Sequence, residues 1–136
     1  PLGKADVKRP GEDITVFCYG LMVNYCLQAA DILANDGIDV EVVDLRTVYP
    51  LDKATIIERS QRTGKVLLVT EDNLEGSIMS EVSAIIAENC LFDLDAPIMR
   101  LAAPDVPSIP FSPTLENEIM MNPEKIQDKM RELAQF

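Results

Sequence analysis

The 136-residue sequence contains no histidine, and this absence narrows the chemistry open to the chain more than any other feature of its composition. It excludes Ser-His and Cys-His nucleophile pairs, and it removes the commonest zinc ligand. Carboxylates, lysines and tyrosines remain as possible acid–base groups. No pattern of such groups indicates a catalytic residue, so we assign none.

Long apolar runs are also missing. No segment approaches the roughly 18 apolar residues that a membrane span needs, and no signal segment opens the chain, so we expect no membrane contact. The three cysteines, Cys18, Cys26 and Cys90, are odd in number and form no Cys-x-x-Cys pair. This favours reduced thiols in a cytoplasmic compartment, and Cys18 and Cys26 are predicted to be small buried side chains.

Positive charge is scarce, because 12 Lys and Arg stand against 23 Asp and Glu, and the formal net charge is -11. Nucleic acids and anionic membranes would be repelled, so neither is expected as a partner. The acidic excess suits a basic protein partner, or it only keeps the surface solvated. The length predicts one domain, and a first residue of Pro1 instead of Met favours a fragment or a processed chain.

Apolar strand-like segments alternate with amphipathic helical ones. Strands are predicted over 14–19, 38–43, 65–70 and 97–101, and helices over 22–35, 52–63, from 78 onward and 122–136. This alternation predicts an α/β fold with three α/β/α layers around a mostly parallel sheet of about five strands. Residues 1–13 are polar and are predicted to be a leading arm or linker, with the domain over 14–136.

Single residue types predict where several helices begin and end. Asp52 is placed to cap the second helix and Gly64 to terminate it. Asn122 followed by Pro123 is typical of a helix start. Residues 71–77 are predicted to be a polar turn, and the proline-rich stretch 103–113 is predicted to be a loop.

Nucleotide binding is the default function of such a fold. Asp44 ends the second strand, where an acid could bind a ribose, but the segment 19–23 has only Gly20, and its bulky neighbours would obstruct a pyrophosphate. The favoured alternative is that Gly20 makes the turn and Asp44 pairs locally with Arg46.

The acidic run Glu71-Asp72-Asn73-Leu74-Glu75 could hold a hard cation. It lacks the alternate-residue spacing of a calcium loop, so helix capping, with contact to solvent or a neighbouring subunit, is favoured. Ser80 lacks the Gly-x-Ser-x-Gly setting of a hydrolase. We therefore predict no metal site and no bound cofactor.

The most informative segment is Asp44-Leu45-Arg46-Thr47-Val48-Tyr49-Pro50-Leu51-Asp52, which joins a predicted strand to a predicted helix. Tyr49-Pro50 fixes the chain direction within it. Arg46 either binds an anion at the carboxyl edge of the sheet or satisfies carboxylates and carbonyls at a domain or subunit contact. The second interpretation is favoured.

This corner resembles the C-terminal domain of transketolase-like enzymes, and most of all the beta subunit of thiamine-diphosphate-dependent 2-oxo acid dehydrogenases. Residues 3–9, 19–23, 71–76 and 96–107 are similar to the same domain in order and spacing. The resemblance covers nearly the whole chain. It favours a parent enzyme for branched-chain substrates (2-oxoisovalerate) over pyruvate or acetoin.

The resemblance implies that thiamine diphosphate and magnesium are held by the alpha subunit and by the N-terminal domain of the beta subunit, and not by this chain. It implies a role in building the heterotetramer, which includes a second beta subunit. A further implied partner is the basic peripheral subunit-binding domain of the acyltransferase, which suits an acidic surface. The candidate contact residues are Arg46, Tyr49, Glu71, Asp105 and Phe136. The isolated chain is expected to fold but to be inactive.

Relatives with this fold often carry histidine at the positions of Asn24 and Thr70, and its absence here weakens any proton-transfer role for this domain.

Other interpretations stay open. The chain could be the same domain of a pyruvate or acetoin dehydrogenase, transketolase, deoxyxylulose-phosphate synthase or pyruvate:ferredoxin-type enzyme. It could also be a nucleotide-binding α/β domain or a stand-alone interaction module. The implied location is cytoplasmic in a bacterium and the mitochondrial matrix in a eukaryote.

Overall fold

A computed structural model describes residues 2–103 and 120–136. Its elements, in chain order, are β1 (Asp6–Arg9), β2 (Ile14–Cys18), α1 (Leu21–Ala34), β3 (Val40–Asp44), α2 (Lys53–Thr63), β4 (Val66–Asn73), α3 (Ile78–Cys90), a 3-10 turn (Leu91–Asp93), β5 (Met99–Ala103) and α4 (Pro123–Ala134).

The five strands form one sheet in the order β1-β3-β2-β4-β5. Strand β2 is parallel to both β3 and β4, and β4 is parallel to β5, whereas β1 is antiparallel to β3. The predicted, mostly parallel five-stranded sheet is confirmed. Its carboxyl edge, where the parallel strands end, and its amino edge, where they begin, are the two places at which loops gather.

Both faces of the sheet are covered by helices. Val16, Val42 and Leu67 pack with buried side chains of α1 and α4 on one face. Phe17 and Val43 pack with buried side chains of α2 and α3 on the other face. Every residue of β2 is buried, as expected for a central strand covered on both sides. The three α/β/α layers follow from these two apolar clusters.

Two boundaries differ from the sequence-based expectation. Residues 6–9, predicted as part of a linker, form the edge strand β1, in which Val7 pairs with Val43 and packs against the core. An edge strand of this kind has little apolar content, so its sequence looks like a polar arm. Strand β4 also continues through Glu71 and Asp72 to Asn73, which pairs with Ala103, so the predicted polar turn begins later.

The predicted caps are confirmed. The Asp52 carboxylate accepts a hydrogen bond of 3.2 Å from the Thr55 N–H at the start of α2, and Gly64 ends that helix at φ 72°. The Asn122 side chain accepts one of 2.8 Å from the Lys125 N–H at the start of α4. Within the described part of the chain, no helix is long and apolar enough to cross a membrane.

Candidate functional site

The segment between β3 and α2 is a rigid corner. The Asp44 carboxylate accepts the Arg46 N–H at 2.9 Å, the Thr47 N–H donates to the Leu45 carbonyl at 2.7 Å, and the Thr47 hydroxyl donates to the Pro50 carbonyl at 3.0 Å. Arg46 has φ 63°, a left-handed conformation that non-glycine residues seldom adopt. Backbone in such a conformation persists only where its surroundings hold it.

Three side chains of this corner are exposed. Tyr49 is 92% exposed, Val48 is 41% exposed, and Arg46 is exposed. No acceptor among the described residues takes a hydrogen bond from the Arg46 guanidinium. A groove of about 410 Å³ separates the corner from α3, and its lining is Val48, Tyr49, Pro50, Leu51, Lys53, Ile78 and Glu81. We call Arg46, Val48, Tyr49, Leu51 and Ile78 the corner surface.

The N-terminal segment is fastened to the same corner. The Ala5 N–H donates a hydrogen bond of 2.9 Å to the Asp52 carboxylate, and a Cβ on Gly3 would lie 3.2 Å from the Pro50 ring. Burial by itself would raise the pKa of Asp52. The hydrogen bonds from the Thr55 hydroxyl and from the Ala5 and Thr55 N–H groups together outweigh burial, and the pKa lies below its ordinary value.

A second polar cluster lies between the carboxyl ends of β2 and β4. The Tyr19 hydroxyl donates to the Asp72 carboxylate at 2.6 Å and lies 3.1 Å from the Thr70 hydroxyl, which accepts the Asp72 N–H at 3.1 Å. Burial, reinforced by the Asp72 carboxylate, raises the pKa of Tyr19. The parallel strand order reverses at this crevice, which is where open α/β sheets bind ligands. Here the crevice is occupied by the domain's own Tyr19 side chain.

The residues around this crevice do not suit a diphosphate group bound with magnesium. The carboxyl edge presents Glu71 and Asp72 beside the crevice, and their charge would oppose a phosphate. Among residues 2–103 and 120–136 there is no group of three or more Cys, Asp or Glu side chains placed to hold a metal ion. Glu71 and Asp72 are therefore unfavourable neighbours for a diphosphate group.

Glu71 is exposed at this same edge. It borders a small, mainly apolar pocket of about 230 Å³, whose other walls include Leu21, Tyr25 and Met121. Arg46, Tyr49 and Glu71, three of the residues predicted from sequence as contacts, thus all lie at the carboxyl edge.

Phe136 lies at the opposite, amino edge. The Lys65 ammonium, just before β4, donates to the main-chain oxygens of Ala134 and Phe136 at 3.3 and 2.7 Å. The Phe136 residue is 59% exposed. A pocket of about 410 Å³ beside it is lined in part by the acidic residues Glu12, Asp13 and Asp95. The predicted contacts are therefore split between two edges, and Asp105 lies outside the described residues.

Sequence reasoning missed a buried ion network. The Glu41 carboxylate is fully buried in β3 and accepts hydrogen bonds from Arg59 at 3.2 Å, Arg62 at 3.0 Å and Thr15 at 3.2 Å. Burial raises the pKa of Glu41, although the two guanidinium groups and Thr15 oppose that shift. The available signal was one acid inside the apolar run Val40–Val43, with two arginines spaced three apart on the next helix.

The cysteines are free and buried in the described structure, which confirms the prediction for Cys18 and Cys26. The neighbouring Cys26 thiol and burial raise the pKa of the Cys18 thiol. A thiol in this state is a poor nucleophile.

The chain is similar to parts of longer enzyme subunits. It is 67% identical over all 136 residues to the 2-oxoisovalerate dehydrogenase subunit beta of Bacillus subtilis, of which it spans 42%. It is 44% identical over 135 residues to the pyruvate dehydrogenase E1 component subunit beta of the same organism, of which it spans 41%. The chain thus spans about two fifths of the length of these relatives.

Solved structures agree on the fold. The chain of a split-gene transketolase, in an inactive beta4 tetramer, superposes with a TM-score of 0.86 at 23% identity, over 98% of this chain and 43% of that chain. The family model described as the C-terminal domain of transketolase matches residues 3–126. The chain therefore belongs to the transketolase C-terminal domain family.

Proposed function

We propose that this chain is the C-terminal domain of the beta subunit of a thiamine-diphosphate-dependent 2-oxo acid dehydrogenase, and that the parent enzyme oxidatively decarboxylates 2-oxoisovalerate. The observation that carries the proposal is the 67% identity over the whole chain to a 2-oxoisovalerate dehydrogenase subunit. The pyruvate and acetoin relatives from the same organism reach 44% and 42% over at least 98% of the chain. The higher identity to the 2-oxoisovalerate relative favours the branched-chain substrate.

The role of this domain in the parent is assembly. The described residues carry no metal cluster, and the crevice at the carboxyl edge is filled by Tyr19. Thiamine diphosphate and magnesium would then be held by the alpha subunit and by the N-terminal domain of the beta subunit. Once bound there, the cofactor would supply the carbanion-stabilising chemistry that decarboxylation needs.

The two edges of the sheet suit different partners. Arg46, Tyr49 and Glu71 at the carboxyl edge are proposed to contact other parts of the heterotetramer. Phe136, beside the acidic pocket at the amino edge, is proposed to contact the basic subunit-binding domain of the acyltransferase, because an exposed aromatic ring with an acidic rim suits such a partner. Asp105 remains a proposed contact by its sequence position. The proposed location is the cytoplasm.

A substrate comparison tests the proposal. The beta subunit that contains this domain is combined with its alpha subunit, thiamine diphosphate and magnesium, and assayed with 2-oxoisovalerate, pyruvate and acetoin. The highest kcat/KM is expected for 2-oxoisovalerate. A higher value for pyruvate or acetoin would overturn the substrate, and failure to form any active complex with an alpha subunit would overturn the assignment itself.

A further inference from the structure

We propose that the corner surface is the docking site for the domain that precedes this one in the longer beta subunit, with Tyr49 as its anchor. This inference rests on the proposed function, which makes the chain one domain of a longer polypeptide. It goes beyond that function because it assigns one partner to one surface. Four observations lead to it.

The first observation is the path of the chain. Because β1 runs antiparallel to β3, the residues before Asp6 lie at the carboxyl edge, on the same side as the corner. The Ala5 N–H is bonded to Asp52, and Gly3 approaches the Pro50 ring. Polypeptide that precedes Leu2 in a longer subunit must therefore reach this domain beside Pro50.

The second observation is that the corner is held in place without help from the side chains of Arg46 and Tyr49. Backbone and short polar contacts from Asp44 and Thr47 hold the loop, whereas Tyr49 and Arg46 extend outward. Tyrosine and arginine are the residue types that most often dominate binding energy at interfaces. Because the loop is already ordered, a partner that binds it loses little conformational entropy.

The third observation is the groove beside Tyr49. Its apolar floor, which includes Leu51 and Ile78, is flanked by the charged side chains of Lys53 and Glu81. This arrangement, an apolar centre with a charged rim, is that of a protein contact. At about 410 Å³ it has room for one or two apolar side chains of the facing domain.

The fourth observation is the exposed apolar surface that continues toward the chain start. Leu2, which precedes Gly3, is 86% exposed, and Val48 is 41% exposed. A tethered domain beside these residues has an effective concentration in the millimolar range, so a weak contact is sufficient to keep the surface covered. A second copy of this chain or an alpha subunit would lack this advantage.

Hydrogen exchange tests the assignment directly. Exchange is measured on the 136-residue chain and on the longer beta subunit without its alpha subunit, for peptides that cover 46–52 and 78–81. The proposal predicts that exchange in these peptides is slower by about tenfold or more in the longer subunit. Tyr49→Ala in the longer subunit should abolish the slowing. Phe92→Ala, which removes a fully exposed aromatic ring at the opposite edge, should leave it intact.

Each other occupant gives a distinct result. Equal exchange in the two proteins overturns the proposal. If exchange in the 136-residue chain slows as its concentration rises, the surface belongs to a contact with a second copy. If exchange slows only when the alpha subunit is present, the surface belongs to a contact with that subunit. Both results overturn the proposal. None of these results depends on turnover, so a subunit that shows the predicted slowing but prefers another substrate contradicts only the proposed function.

Discussion

The Ala5 N–H donates its hydrogen bond to the same Asp52 carboxylate that caps helix α2, although the two residues are 47 positions apart. The carboxylate also accepts the Thr55 hydroxyl at 2.6 Å. One side chain that is 5% exposed therefore fixes both the first residues of the chain and the start of α2. The geometry of the corner between β3 and α2 depends on it.

Replacing Asp52 should destabilise the domain by a measurable amount. Asp52→Ala removes a helix cap and leaves the Ala5 N–H without its acceptor, so we expect a loss of about 2 kcal/mol in the free energy of unfolding at neutral pH. Asp52→Asn keeps a capping oxygen but loses the charge, so its cost should be smaller. Guanidinium denaturation of the three proteins measures both differences.

The cost of Asp52→Asn should also depend on pH. The folded-state pKa of Asp52 lies below the ordinary value of 3.8, so its contribution is present above that value and is lost as pH falls through the folded-state pKa. The difference between the wild-type chain and Asp52→Asn should therefore be largest at neutral pH and should shrink below about 3.8. A difference that grows on acidification would contradict the hydrogen-bonding scheme.

Glu41 should show the opposite pH trend. Its folded-state pKa lies above the ordinary value of 4.5 because of burial, so its contribution is complete below 4.5 and declines as pH rises through the folded-state pKa. Glu41→Gln should cost about 1–3 kcal/mol at neutral pH, because a neutral amide replaces the carboxylate that Arg59 and Arg62 share. The cost should increase toward pH 4.

Glu12 provides the matched control for Glu41. It pairs with the same Arg62, but its side chain is 71% exposed, so Glu12→Gln should cost less than about 1 kcal/mol. Unfolding curves over a pH series compare the two variants. Equal costs for Glu41→Gln and Glu12→Gln would show that the buried network does not contribute as described.

Gly11 should tolerate no side chain. A Cβ there would lie 2.4 Å from the Val40 carbonyl carbon and 2.5 Å from the Glu41 nitrogen, so relief requires the backbone of β3 to move. Gly11→Ala should cost more than about 3 kcal/mol. Gly37 is the control, since its φ of 79° is strained for alanine but nothing lies within 4 Å. Gly37→Ala should cost about 1–2 kcal/mol in thermal unfolding, and equal costs would exclude the steric explanation.

What the sequence predicted was mainly local. Asp52, Gly64 and Asn122 act within one helical turn, so their residue types were sufficient to place the helix ends. The pairing of Val7 with Val43 is a long-range contact, which no local pattern reports, and β1 was therefore mistaken for an arm. The separation of Tyr49 and Phe136 onto opposite edges is likewise a consequence of how α4 returns across the sheet, and it emerges only in three dimensions.

Phe136 should contribute to binding at the amino edge. In the full beta subunit, Phe136→Ala should weaken binding to the subunit-binding domain of the acyltransferase by about tenfold, or about 1.4 kcal/mol. Ile32→Ala, on the outer surface of α1 and 43% exposed in the wild type, should leave binding unchanged. Calorimetric titration should also show affinity falling as salt is raised, because the amino edge is acidic and the proposed partner is basic. Equal effects of the two variants would place the contact elsewhere.

The most direct measurement for the central claim, that this domain supports an active centre held by its neighbours, is a calorimetric titration of thiamine diphosphate with magnesium. The 136-residue chain is compared with the complete assembly of alpha and beta subunits. Saturable binding is predicted for the assembly and none for the chain alone. Binding to the chain alone with a micromolar dissociation constant would contradict the account.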